Sequence, residues 1–150
     1  MHPASGTVME SPVVSDPIPS GAAGRSSVVS QLTAPPEMRE ALAFVQRIGG
    51  DELVEKVVTL FRTSSEERLV AMRAALVSSD RQAVRRLAHA LKGSAAQVGA
   101  EGLRSAAASV EATAGELPPD ALAAEVEALA GLAAVARELL EQEKGRAGSA

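Results

Sequence analysis

Phe44 and Phe61 are the only aromatic residues among 150, and that scarcity decides what kind of core this chain can build. Hydrophobic residues still make up 46% of the sequence, chiefly alanine, leucine and valine. Small aliphatic side chains must therefore do most of the packing, which favours helices in close approach over a sheet. The spacing agrees. From about residue 36 onward apolar residues recur every three or four positions, and no alternating strand pattern competes.

The breaks between these segments are short. Pro35-Pro36 suits a helix start, and a short first helix is expected to carry Met38, Leu42, Phe44, Val45 and Ile48 before stopping at Gly49-Gly50. Asp51 fits as N-cap of the next segment, whose apolar face is Leu53, Val54, Val57, Val58 and Phe61. Thr63-Ser64-Ser65 interrupts the pattern, and Ser64 with Glu67 has the form of a capping box. Leu69, Met72, Leu76 and Val77 resume it, so one bent helix and two helices both remain open here. Ser79-Asp80 and Gly99 bound a further helix. Another follows over about 101–114, packing through Leu103, Ala106, Ala107 and Val110 and stopping at Gly115. After Leu117-Pro118-Pro119-Asp120 comes a final helix with Leu122, Val126, Leu129, Leu132, Val135, Ala136 and Leu139 inward, and Glu125, Glu127, Arg137, Glu138 and Glu141 outside. Short connections imply antiparallel neighbours. The expected fold is all-α: an antiparallel up-and-down four-helix bundle with a short additional N-terminal helix, spanning 35–144. Residues 1–34, rich in Pro, Ser, Gly and Ala, read as a flexible low-complexity tail, and 145–150 as a frayed C-terminus.

One segment carries chemistry. His89 is the only histidine besides His2, and it lies in Ala88-His89-Ala90-Leu91-Lys92-Gly93-Ser94-Ala95-Ala96. At about 100° per residue, Val84, Leu87, Leu91, Ser94, Ala95 and Val98 share one side of the helix. His89 points away from them, flanked by Arg85, Lys92, Gly93 and Ala96. A neutral imidazole carries a nitrogen lone pair, so an exposed one can act as a nucleophile toward a partner. Lys92 is one turn later and Arg85 one turn earlier, where either can neutralise a phosphoryl group on the ring. A glycine in mid-helix costs roughly 1 kcal/mol relative to alanine, and close approach of a partner to the histidine is a reason for Gly93.

His89-Ala90-Leu91-Lys92-Gly93-Ser94-Ala95, followed by Gly99, resembles the signature of histidine-containing phosphotransfer (HPt) domains. The likeness extends over about residues 36–143, and the departures are a high alanine content and few aromatics. The resemblance implies a four-helix bundle with one phosphorylatable histidine, relaying phosphoryl groups between receiver-domain aspartates. By position His89 is the phosphoacceptor, Lys92 the cation near the phosphate, and Gly93 the clearance for a docking receiver. Glu111 falls where members often carry a glutamine or glutamate near the imidazole, and there it can accept a hydrogen bond that fixes the tautomer. Arg85, Arg86, Ala96 and Gln97 are candidate docking residues. The partners implied are the receiver domain of a hybrid sensor histidine kinase and a response regulator. The receiver supplies an acidic pocket and its Mg2+, and this chain binds no cofactor of its own.

Other residues exclude other chemistries. Ser94 is placed inward with no general base beside it, so packing rather than nucleophilic attack is its expected role. One histidine in the body of the chain and no cysteine cannot fill a zinc site. The lack of cysteine also rules out disulfides and suits a reducing compartment. A net charge of −4 gives no reason to expect nucleic-acid binding. No apolar run reaches the roughly 18–20 residues of a membrane span, and the N-terminus lacks the basic-then-apolar order of a secretory signal. There is no glycine-rich nucleotide loop. The expectation is a cytoplasmic, monomeric, free-standing phosphocarrier that is not itself an enzyme. The rival readings are a receiver-docking or inhibitory module without turnover, an HPt portion of a larger sensor or chemotaxis kinase, and a structural bundle in which His89 is incidental.

Overall fold

The computed structural model describes residues 32–149, with side chains as far as Arg146. The tail expected over 1–34 lies outside the described residues as far as Gln31. Ala34, by contrast, is buried and its carbonyl accepts a hydrogen bond from Arg39 Nη1, so this residue of the expected tail packs with the bundle.

Helix α1 spans Pro36–Val77. Pro36 occupies its first turn, and the Pro35 carbonyl accepts from the amides of Met38 and Arg39. Gly50 divides it, with φ 71° and ψ −165°, a conformation in which a side chain is strained. The short first helix of the sequence reading is thus the N-terminal arm of α1, kinked away at Gly50. The arm touches the bundle through a narrow stripe of Met38, Leu42 and Val45. Phe44 and Ile48, expected on that face, lie far enough round the helix to remain 56% and 62% exposed. Phe44 is covered instead by the Arg47 guanidinium, 5.8 Å from its ring centre. Asp51 does not act as the expected cap; its Oδ1 accepts from Gln46 Nε2 at 2.8 Å.

Beyond the kink α1 runs unbroken through Thr63-Ser64-Ser65 to Val77, so the capping box does not form. The Ser64 and Ser65 hydroxyls donate back to the carbonyls of Phe61 and Arg62, which lets serines sit inside a helix. Val54, Val58, Phe61, Leu69 and Met72 are buried, whereas Val77, at the last turn, is 89% exposed.

Helix α2, Arg81–Gln97, starts where Asp80 Oδ1 accepts from the Ala83 amide at 3.1 Å. It ends at Gly99, whose φ is 72°. There the Ala100 amide donates to Ala95 O and the Gly99 amide to Ala96 O, the paired bonds of a Schellman motif. A Cβ at Gly99 would sit 2.3 Å from the Glu37 carbonyl oxygen, so this turn also seats the start of α1. Helix α3 is Glu101–Thr113 and α4 is Pro119–Ser149. The latter continues through the segment expected to fray from 145, and Ala150 lies outside the described residues.

Each helix packs on two neighbours: α1 on α2 and α4, and α3 on α2 and α4. Ion pairs fix the sense of α1 against α4. Glu55 pairs with Lys144, Arg62 with Glu141, and Arg73 with Glu127, so rising numbers on one helix meet falling numbers on the other. The same holds for α2 and α3, where His89 meets Glu111 and Arg81 meets the Ala114 carbonyl. This is an antiparallel four-helix bundle. Alanines take the tight crossings: Ala88, Ala95, Ala107 and Ala133 are each 0% exposed. On α4 the buried stripe is Leu122, Val126, Leu129, Ala133, Ala136 and Leu140, which leaves Leu132 39% exposed rather than inward.

Candidate functional site

On α2 the fully buried residues are Val84, Ala88, Leu91 and Ala95. Their stripe is turned about 40° toward Ala88 from the face read in the sequence. Ser94 therefore sits at the edge of the core, half-buried, and its hydroxyl accepts a hydrogen bond from Arg68 Nη1. It is a partner of an α1 side chain, not a packed interior residue. His89 stays on the far side, with 68% of its side chain exposed.

The imidazole is held, although it faces solvent. Its Nδ1 lies 2.8 Å from Glu111 Oε2 on α3, and the other oxygen of that carboxylate, Oε1, lies 2.7 Å from Lys92 Nζ. One carboxylate thus bridges the histidine and the lysine one turn away. The hydrogen bonds from Lys92 and then from His89 hold the Glu111 carboxyl below the ordinary carboxylate range. An ionised carboxylate only accepts, so Nδ1 is the nitrogen that donates to it, and in the neutral ring Nε2 is then the one with the lone pair. Glu111 reaches this place because α3 packs antiparallel on α2, which brings its last turn level with the middle of α2.

Lys92 is therefore engaged and only 32% exposed, not a free surface charge. Arg85 is exposed, and its guanidinium leans toward Gly115 in the α3–α4 connection, where an added Cβ would be 3.1 Å from Nη2. That places its charge beyond Glu111 along the bundle. Arg86, Ala96 and Gln97 are exposed. A Cβ at Gly93 would meet nothing within 4 Å, so no contact inside the molecule calls for glycine there.

Beside His89 a groove opens between α1 and α2, with Leu60, Ser64 and Arg68 on one wall and His89, Gly93 and Gln97 on the other. Arg68 and the apolar wall at Leu60 were not found from the sequence. Their only signal is a face of α1 opposite its Glu-paired arginines, legible once α2 is known to lie there. Among the described residues no three His, Asp or Glu side chains gather as a metal site requires.

A family model described as Hpt domain matches residues 56–143. No curated protein and no solved structure matches the chain significantly. The chain belongs to the Hpt domain family. Hpt domains are helical bundles that carry phosphoryl groups in phosphorelays, interact with receiver domains, and have no kinase domain of their own. The bundle and the match coincide, since 56–143 runs from α1 beyond the kink to near the end of α4. No helix among the described residues is long and apolar enough to cross a membrane.

Proposed function

We propose that this chain is a free-standing, monomeric, cytoplasmic phosphotransfer intermediate that relays a phosphoryl group between receiver aspartates through Nε2 of His89. The observation that carries this reading is an exposed imidazole whose Nδ1–H is committed to Glu111, 2.8 Å away, leaving Nε2 as the nucleophile. Its lone pair attacks the phosphorus of an aspartyl phosphate in line. The N–P bond forms as the acyl O–P bond breaks, and the electron pair returns to the aspartate carboxylate. The ring keeps its Nδ1 proton, and Glu111 meets the positive charge that the phosphorylated imidazole acquires. Such transfer has a loose transition state, so positioning and charge neutralisation dominate. Lys92 is one turn from the ring and can turn from Glu111 to the phosphoryl oxygens as these arrive. Mg2+ belongs to the acidic pocket of the partner.

Docking is assigned to the His89 face. Open space over Gly93 and the exposed Arg86, Ala96 and Gln97 let a receiver reach the imidazole. The partners proposed are the receiver of a hybrid sensor kinase and a response regulator.

Transfer of label from a phosphorylated receiver to the full chain and to its His89→Gln variant tests the reading. Acid-labile, alkali-stable label on the native chain, absent from the variant, is the expected result. Receiver binding without any label would instead support a docking or inhibitory module. Absence of both would leave His89 incidental.

A further inference from the structure

We propose that Arg68 is the anion receptor of the groove beside His89, a second cation of the transfer reaction supplied by α1. Its place in the bundle sets it apart from its neighbours. Arg62 and Arg73 turn to α4 and pair with Glu141 and Glu127. Arg68 turns the other way, to α2, and α2 contains no aspartate or glutamate. Its Nη1 donates to Ser94 Oγ and, at 3.4 Å, to the Ala90 carbonyl. Nε and Nη2 have no acceptor among the described residues, and no ion pair there includes Arg68.

Arg68 is half-buried as a residue, while its Nε and Nη2 stay reachable from the groove, and a guanidinium there without a counter-charge is open to an anion. Its planar fork suits a carboxylate or phosphoryl group in two-point contact. Ser94 and Ala90 fix one arm of the fork, so the side chain is positioned before any anion arrives, and the groove it lines is the one that holds His89 and Gly93. The opposite flank of His89 is already balanced, because Glu111 takes the charge of Lys92. Arg68 is consequently the cation within this groove whose charge is unspent, as distinct from Arg85 and Arg86, which are exposed on the helix outside it. The anion is an oxygen of the phosphoryl group on His89 or a carboxylate of the docked partner. This inference rests on the relay reading for its role in transfer, while the anion site itself stands apart from it.

Two measurements on the full chain test it, with Arg68→Ala, Arg68→Lys and Ser94→Ala variants whose fold is checked by thermal unfolding. In the first, inorganic phosphate is titrated while the Nε–H resonances of the arginines are followed by NMR. A saturable shift of Arg68, absent at the remote Arg47, is expected, and equal small drifts of both overturn the site. This readout needs no receiver, so it decides the site even if the chain accepts no label. The second measures transfer from a labelled receiver. A rise in KM of about tenfold for Arg68→Ala, with the isolated phosphohistidine equally long-lived, assigns the anion to the partner's carboxylate. A similar fall in kcat with a shorter-lived phosphohistidine assigns it to the phosphoryl oxygen. Partial rescue by Arg68→Lys is expected in both cases. Unchanged kinetics in Arg68→Ala overturn the role in transfer.

Discussion

At the scale of single residues the site depends on one shared carboxylate. Glu111 holds His89 and Lys92 together, and its lowered pKa gives the sign of the pH effect. A carboxyl whose folded pKa is depressed adds stability above its unfolded pKa, near 4.3, and loses it as pH falls through the lower folded value. Glu111→Gln is expected to flatten the acid side of the stability profile below about pH 4.3, measured by thermal unfolding against pH. Glu111→Ala, which removes the acceptor that glutamine would still provide, is expected to release the Nδ1–H tautomer, visible in imidazole 15N shifts. Gly93→Ala separates folding from docking. It meets open space on a helix, so stability should rise by up to about 1 kcal/mol while receiver affinity falls. A loss of stability, or unchanged affinity, would show that glycine serves the bundle. His89, Lys92, Gly93 and Glu111 were all legible in the sequence, because helical spacing and a family signature place them. Arg68 was not, since its partner, Ser94, lies 26 positions away and only the α1–α2 packing joins them.

At the scale of elements, caps were legible where chemistry is local and were missed where tertiary packing competes. Asp80 and Gly99 act as the sequence suggests, one by its side chain and one by its φ. The Ser64–Glu67 pattern does not, because serine hydroxyls that bond back to a preceding carbonyl leave the helix free to continue. Gly99 does more than end α2. A substituent there meets the backbone of Glu37 and Met38, so Gly99→Ala should cost roughly 2–5 kcal/mol in chemical unfolding, combining left-handed strain with a backbone clash. The register of α4 gives a paired test. Leu140 is 0% exposed and Leu132 is 39% exposed, so Leu140→Ala should cost about 2–5 kcal/mol and Leu132→Ala clearly less. Comparable losses would contradict the observed stripe. The sequence reading chose Leu132 because every third or fourth leucine looks inward in an alanine-rich helix. Which ones are inward depends on the crossing with α1, and alanines such as Ala133 mark that crossing without a pattern of their own.

At the scale of the whole molecule, the bundle brings the His89 imidazole, the Glu111 carboxylate, Lys92 and Arg68 into one neighbourhood from three helices. The core beneath them is small-residue and tightly crossed, which fixes α3 against α2 and thereby sets the His89–Glu111 distance of 2.8 Å. The class of fold was readable from the near absence of aromatics and the short connections. The break at Gly49-Gly50 was readable as well; the direction of the arm and the α1–α2 groove were not, since they arise from packing between distant segments. The most direct measurement of the central claim is 15N and 31P NMR of the chain after phosphorylation by a receiver. The expected spectrum places phosphorus on Nε2 of His89 and retains the proton on Nδ1. Phosphorus on Nδ1, or on any residue other than His89, would contradict it.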